Sequence, residues 1–369
     1  MMQILLTIAL SIVLIIILID VILWAAWRPK PPRTVEIAEN LPFVSILIAA
    51  RNEEDHIGQT LNSLLSQEYP MDKIEILVGD DSSEDTTADI VKSFQEKHPN
   101  IHYYLIQQPN DKHKAKAGVL EVIGEKAKGE FMLFTDADIK LPSTWLPKHL
   151  ACLKDDVAIQ SGFTIIQRTG FFSSMQMIDW SFALGMVKIL SGWKLPITAV
   201  GNNMLINSEA YRKTGGYKDL PYSVTEDFNF FQKVVKQDYG FQQLANAGTL
   251  AISQPQKNFK SLLEQRKRWM IGAMQLPFLM KMLLFLQAAY YPAILLLLFI
   301  NPLVGIPLFG LKTTLQSLFI SKIHERLEEY VPLGHMFIFE FYSAILTTIL
   351  CVYYLLPLPL KWKERDINQ

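Results

Sequence analysis

An α/β architecture, a mostly parallel sheet with helices on both faces and flanking membrane segments, follows from three observations. Between residues 41 and 269, short apolar or β-branched runs alternate with longer helix-like stretches, the pattern of strand–helix–strand units. Several of these runs end in acidic polar clusters, at the strand ends where open α/β sheets hold ligands. Both ends of the 369-residue chain are apolar, and 50% hydrophobic residues with a mean hydropathy of +0.18 exceed what a wholly soluble chain needs.

The first element is a run over residues 4–27 in which Asp20 is the only charge, long enough for a bilayer core that takes about 20 residues. It exceeds the apolar core of a signal peptide, lacks a preceding basic residue and a small-residue cleavage pattern, and is expected to be an uncleaved anchor. Asp20 sits near the end of the run, so it is expected to face the headgroups rather than pair inside the membrane. Arg28, Lys30 and Arg33 follow among prolines; basic flanks stay inside, which places the next domain in the cytoplasm.

Strands are expected at residues 44–50, 74–79, 101–106 and 131–135, with helices at 54–66, 85–97 and 115–127 between them. Further strands are expected at 158–164 and 199–206. The stretch 171–190 between them carries more large apolar residues than one packed face uses, so it either lies along the membrane surface or packs into the domain core. Two more apolar stretches close the chain, 282–311 with Pro302 and Pro307 inside it, and 336–358 followed by Lys361, Lys363 and Arg365. Three crossings leave both soluble flanks inside; a re-entrant piece around the prolines would make four.

Two cysteines, Cys152 and Cys351, make no disulfide framework, and a net charge of −1 without a basic stripe excludes a nucleic-acid footprint.

The polar clusters carry the chemistry. Residues 131–138 form an apolar strand ending in Asp136-Ala137-Asp138, two hard oxygen ligands that suit Mg²⁺ or Mn²⁺, although an isolated pair of this kind more often caps a turn. Asp80-Asp81 begins a Ser/Asp/Thr-rich stretch that either caps a helix or meets a ribose or base. Lys112, Lys114 and Lys116 offer cations to a diphosphate or form a solvated face. Thr225-Glu226-Asp227 opens a helix, and Gln265-Arg266-Lys267-Arg268-Trp269 places a planar cation and an indole just before the second apolar stretch.

Taken in order, Asp80-Asp81, Lys116-Ala117-Gly118, Asp136-Ala137-Asp138, Thr225-Glu226-Asp227 and Gln265-x-x-Arg268-Trp269 resemble the membrane-bound members of glycosyltransferase family 2 over residues 43 to 275. That group includes cellulose, chitin, hyaluronan and poly-N-acetylglucosamine synthases and ceramide glucosyltransferases. The resemblance implies a GT-A fold over residues 41–275, between an anchor at 1–27 and a membrane region at 276–369 with two helices, or three. It implies that Asp80 and Asp81 hold the uridine, that Lys116 (or Lys114 in another register) approaches the diphosphate, and that Asp136 and Asp138 hold nucleotide and divalent metal. Asp227 is then the general base. Asn202 and Asn203, with Glu226, Gln265 and Trp269, line the acceptor side, and Arg268 clasps the diphosphate. Glu121 stands where the family often has Asn.

A single base and no carboxylate nucleophile predict inversion. The expected activity is transfer from a nucleotide-sugar, a UDP-sugar by resemblance, to a membrane-associated lipid or glycan. The alternatives are a processive polysaccharide synthase and, in another class, a non-catalytic membrane scaffold that binds nucleotide.

Overall fold

A computed structural model describes residues 1–28, 41–107, 116–218, 220, 223, 225–356, 361–362 and 365–366. Lys30, Arg33, Lys112, Lys114 and Lys363 fall outside the described residues.

After the apolar helix α1 (Met2–Ala26) the chain builds β1 (Val44–Ala50), α2 (Ile57–Leu65), β2 (Ile74–Asp80), α3 (Thr87–Lys97), β3 (Ile101–Leu105), α4 (Lys116–Lys126), β4 (Phe131–Asp136) and α5 (Trp145–Cys152). It continues with β5 (Ile159–Ser161), β6 (Thr164–Ile166), α6 (Phe171–Gly192), β7 (Asn203–Asn207), α7 (Ser208–Lys213), α8 (Glu226–Val235), β8 (Phe241–Gln243), β9 (Ala251–Ser253) and α9 (Phe259–Ala273). The helices α10 (Phe278–Ile300), α11 (Pro302–Leu327) and α12 (Leu333–Leu355) follow.

Seven strands form one sheet in the order β3-β2-β1-β4-β7-β5-β8, parallel except where β7 runs against both its neighbours. Alternation along β1 splits the core: Val44, Ile46 and Ile48 pack with Ile57 and Leu61 of α2 on one face, while Leu47 packs with Leu120 and Ile123 of α4 on the other. The register pairs Ala50 with Asp80 and Ala49 with Asp136, so β1, β2 and β4 end along a common edge. Because β7 is reversed, its first residue, Asn203, lies opposite Thr135 at that same edge.

Differences from the sequence pattern are local. The stretch expected as one strand at 158–164 divides into β5 and β6, which join different sheets; β6 pairs with β9. The expected strand at 199–206 begins only at Asn203, because Asn203 N–H closes a turn on Val200 O at 3.0 Å. β8 and β9 are three residues each, too short to show a period.

Four described helices, α1, α10, α11 and α12, are long and apolar enough to cross a membrane. The single stretch expected at 282–311 is a hairpin instead. Asn301 ends α10, and Pro302 opens α11, where its missing N–H costs nothing. α6 lies between the sheet region and these helices: Met175, Met177 and Ile178 pack with Phe163 and Ile165 and with Phe319, Ile320 and Phe339. Core packing is therefore what its many apolar residues serve.

Asp20 does not face headgroups. It is 3% exposed and close enough for its charge to act on Lys312 and Glu340, themselves 0% and 1% exposed. Lys312 Nζ contacts both Glu340 Oε2 and Gln316 Oε1, and lies 5.1 Å from the Tyr290 ring centroid. All four apolar helices thus meet at one polar cluster, in which the Lys312–Glu340 pair offsets part of the cost of burying both charges.

Candidate active site

The carboxyl edge of β1, β2 and β4 gathers most of the expected residues, and the two turns on it interlock. Arg51, 6% exposed, donates from Nη1 to Asp81 O and Ser82 O. Asn52 N–H donates to Ser83 Oγ at 3.0 Å, and Asn52 Oδ1 accepts from Glu84 N at 2.9 Å. Both Asn52 and Ser82 take the left-handed conformation, at φ 50° and 52°, held by these bonds.

Asp80 is 1% exposed. Its Oδ1 accepts from Ser83 N–H at 2.9 Å and from Ser83 Oγ at 2.6 Å, and its Oδ2 accepts from Tyr103 Oη at 2.7 Å. Asp80, expected at the nucleotide, braces the turn that carries Asp81, itself 2% exposed.

Asp136 ends β4, and Ala137, tied to Thr60 Oγ1 through its carbonyl at 2.7 Å, carries the chain on to Asp138. Lys116, the first residue of α4, places Nζ 2.5 Å from Asp136 Oδ1 and 3.4 Å from Glu226 Oε1. The lysine therefore joins two motifs separated by 90 residues of sequence (136 to 226). Burial opposes its charge, but Asp136 and Glu226 beside it raise its pKa.

Glu226 and Asp227 occupy the first turn of α8, where the dipole favours acids. Burial pushes Glu226 up to about 7, against the opposing pull of Lys116, and raises Asp227 from the usual aspartate value for the same reason. Asp227 is aimed by two backbone donors: Gly201 N–H reaches Oδ2 at 3.1 Å and Phe228 N–H reaches Oδ1 at 2.8 Å. Gly201 is required for this approach, since a Cβ there would lie 2.6 Å from Asp227 Cβ.

From α9, Arg268 lies within electrostatic reach of Glu226, and burial lowers its pKa. Trp269 packs edge-on against Trp180, centroids 4.4 Å apart, under the Arg266 guanidinium at 4.0 Å. Arg266 in turn pairs with Asp179 at 2.6 Å and donates to Gln265 Oε1 at 3.3 Å. Gly272 brings α9 against Thr225: a Cβ on it would stand 2.8 Å from Thr225 Oγ1.

Asn202 accepts from Thr164 Oγ1 at 2.8 Å and stays half-buried beside this edge. Asn203, expected on the acceptor side with it, is 0% exposed, with its side-chain amide bonded to Trp145, His149, Phe163 and Thr249. Sequence reasoning missed Arg51 and Tyr103 as braces of the site; neither carries a local signal, since their partners are about 30 and 23 residues away.

Asp136 and Asp138 offer carboxylate oxygens of the kind a hard divalent ion takes, and among the described residues no group of three His, Cys, Asp or Glu is placed to hold a metal by itself.

Residues 45–215 match the family model of glycosyl transferase family 2, and residues 132–358 that of glycosyl transferase family group 2. The chain is 30% identical over 254 residues to the probable glycosyltransferase YdaM of Bacillus subtilis, covering 65% of this chain and 57% of the relative. It is 27% identical over 248 residues to a beta-monoglucosyldiacylglycerol synthase of Nostoc, covering 65% and 51%. The chain thus spans about half the length of the curated relatives it matches. A mannosyltransferase of Pyrobaculum calidifontis, solved in complex with GDP-Man and Mn²⁺, shares the fold with a TM-score of 0.61 and 17% identity, covering 96% of this chain and 99% of that one. The expected GT-A architecture is borne out.

Proposed function

The chain belongs to glycosyltransferase family 2, and on that premise we propose that it is an inverting, metal-dependent transferase that moves a sugar from a UDP-sugar to a lipid acceptor at the cytoplasmic face of a membrane. The observation that carries this is the meeting of Lys116, Asp136, Glu226 and Asp227 at one strand edge, with Asp227 held on the Gly201 N–H.

The nucleoside lies against the turn that carries Asp81, and the diphosphate lies near Lys116 and Arg268, whose charges offset those of the leaving group. Asp227 takes the proton of the acceptor hydroxyl. The acceptor oxygen then bonds to the anomeric carbon from the face opposite the diphosphate, the bond to the diphosphate oxygen breaks, and the configuration inverts. Asp136 and Asp138 are the residues that would hold a divalent cation, which supplies further charge neutralisation at the diphosphate. Glu226, Gln265 and Trp269, with Asn202 opposite, border the acceptor side.

A lipid acceptor is supported by the four apolar helices and by the diacylglycerol named for the Nostoc relative. Three crossings, α1, α10 and α11, would keep the domain at residues 41–275 and the basic C-terminal flank on the cytoplasmic side, with α12 resting against α6 and α9.

The test uses the full chain in membranes with labelled UDP- and GDP-sugars, lipid extract and Mn²⁺. Parent protein is expected to form one chelator-sensitive glycolipid, and Asp227→Asn to lose turnover while keeping UDP binding. Transfer undiminished in Asp227→Asn removes the base; a polymeric product favours a processive synthase; UDP binding without hydrolysis or transfer by the parent favours a scaffold.

A further inference from the structure

Behind the Gly201 turn, the side chain of Asn203 uses all four of its hydrogen-bonding positions inside the protein. Asn203 Oδ1 accepts from Trp145 Nε1 at 2.8 Å and meets His149 Nε2 at 2.9 Å. Its Nδ2 donates to Phe163 O at 2.7 Å and to Thr249 O at 2.9 Å. The chain of bonds runs further: His149 Nδ1 lies 2.9 Å from Gln160 Nε2, and Gln160 Oε1 accepts from Gln242 Nε2. One proton assignment satisfies every member: a neutral His149 carries its proton on Nε2, donates to Asn203 and accepts from Gln160. Burial pushes His149 down to about 4, which keeps that neutral form. Gly162 leaves no freedom beside the amide, as a Cβ there would lie 2.5 Å from Asn203 Nδ2.

The backbone of Asn203 does separate work. Its N–H closes the turn on Val200 O at 3.0 Å and its carbonyl accepts from Gly162 N at 2.8 Å. Gly201, inside that turn, donates to Asp227. Asn203 therefore fixes the turn whose Gly201 N–H donates to Asp227 Oδ2.

We propose that His149 and Asn203 are positioning residues for the base: their buried hydrogen bond holds the 200–203 turn so that the Gly201 N–H orients the Asp227 carboxylate. Neither side chain touches substrate. The inference rests on Asp227 being the base, and the experiment separates the two.

In membrane-embedded full-length protein, His149→Phe keeps a ring against Trp145, 5.4 Å away, and removes the donor to Asn203. Its kcat is expected to fall about 10- to 100-fold, the size of a small misplacement of a reacting group, with UDP affinity unchanged. His149→Gln, whose amide can donate again, is expected to recover most of the loss. If His149→Phe does not fold, Trp145→Phe, which removes the other donor to Asn203, is read the same way. Parental kcat, or equal losses of kcat and UDP affinity, overturns the proposal. Asp227→Asn is measured alongside: turnover there defeats the base reading itself, whereas an inactive Asp227→Asn beside a fully active His149→Phe defeats only the positioning role.

Discussion

Asn202 and Asn203 are neighbours of the same residue type, yet one is half-buried at the strand edge and the other is sealed in the core. Strand alternation separates them, because consecutive side chains leave β7 and its entry turn in opposite directions. The same edge makes Gly201 sensitive. Gly201→Ala is expected to displace Asp227 and cut kcat about 10- to 100-fold while the protein stays folded, checked by turnover against thermal unfolding. A variant with parental kcat would mean that the α8 terminus yields without consequence. Asp136, Lys116, Glu226 and Asp227 were legible in the sequence because acids and cations at strand and helix ends declare themselves by type. The bracing role of Asp80 was not, since Tyr103 reaches it from β3 by tertiary packing alone.

Among the elements, the long parallel strands β1, β2 and β4 were readable from their apolar runs, and α1 from its length. The junction helices were not. Read as a crossing from its apolar composition, α12 touches the domain at both ends: His335 packs on Phe171, ring centroids 5.3 Å apart, and Leu356 O accepts from Lys267 Nζ at 2.8 Å. Between those points Leu346 packs with Leu262 and Leu263 of α9, while Phe337, Phe341, Ile345 and Val352 form an exposed apolar stripe. Glu340 and Ser343 of the same helix meet Lys312 of α11 and Tyr291 of α10, and the proposed surface position of α12 turns that stripe toward lipid. Single cysteines at Leu333 and Leu356, in a Cys152→Ser, Cys351→Ser background, are expected to react with an impermeant maleimide from one side of sealed vesicles. Labelling from opposite sides would restore the crossing.

The assembly of membrane helices and domain depends on a cluster that no single segment contains. Asp20 of α1, Lys312 of α11 and Glu340 of α12 meet with Tyr290 of α10. Lys312→Met should leave Glu340 buried without its cation and destabilise the protein by about 3–5 kcal/mol. Thermal unfolding in detergent reads this, and adding Glu340→Gln should restore part of the loss. An unchanged midpoint in Lys312→Met would make the cluster incidental to assembly.

Residue types and their order along the chain were enough for the α/β architecture, the family and the acidic edge, because strand periodicity and charge are local properties. What each polar group is used for was decided by tertiary contact. Asp80 became a brace and Asn203 a buried anchor, because a hydrogen bond is made by whatever the fold brings within about 3 Å, and spacing in the sequence does not report it.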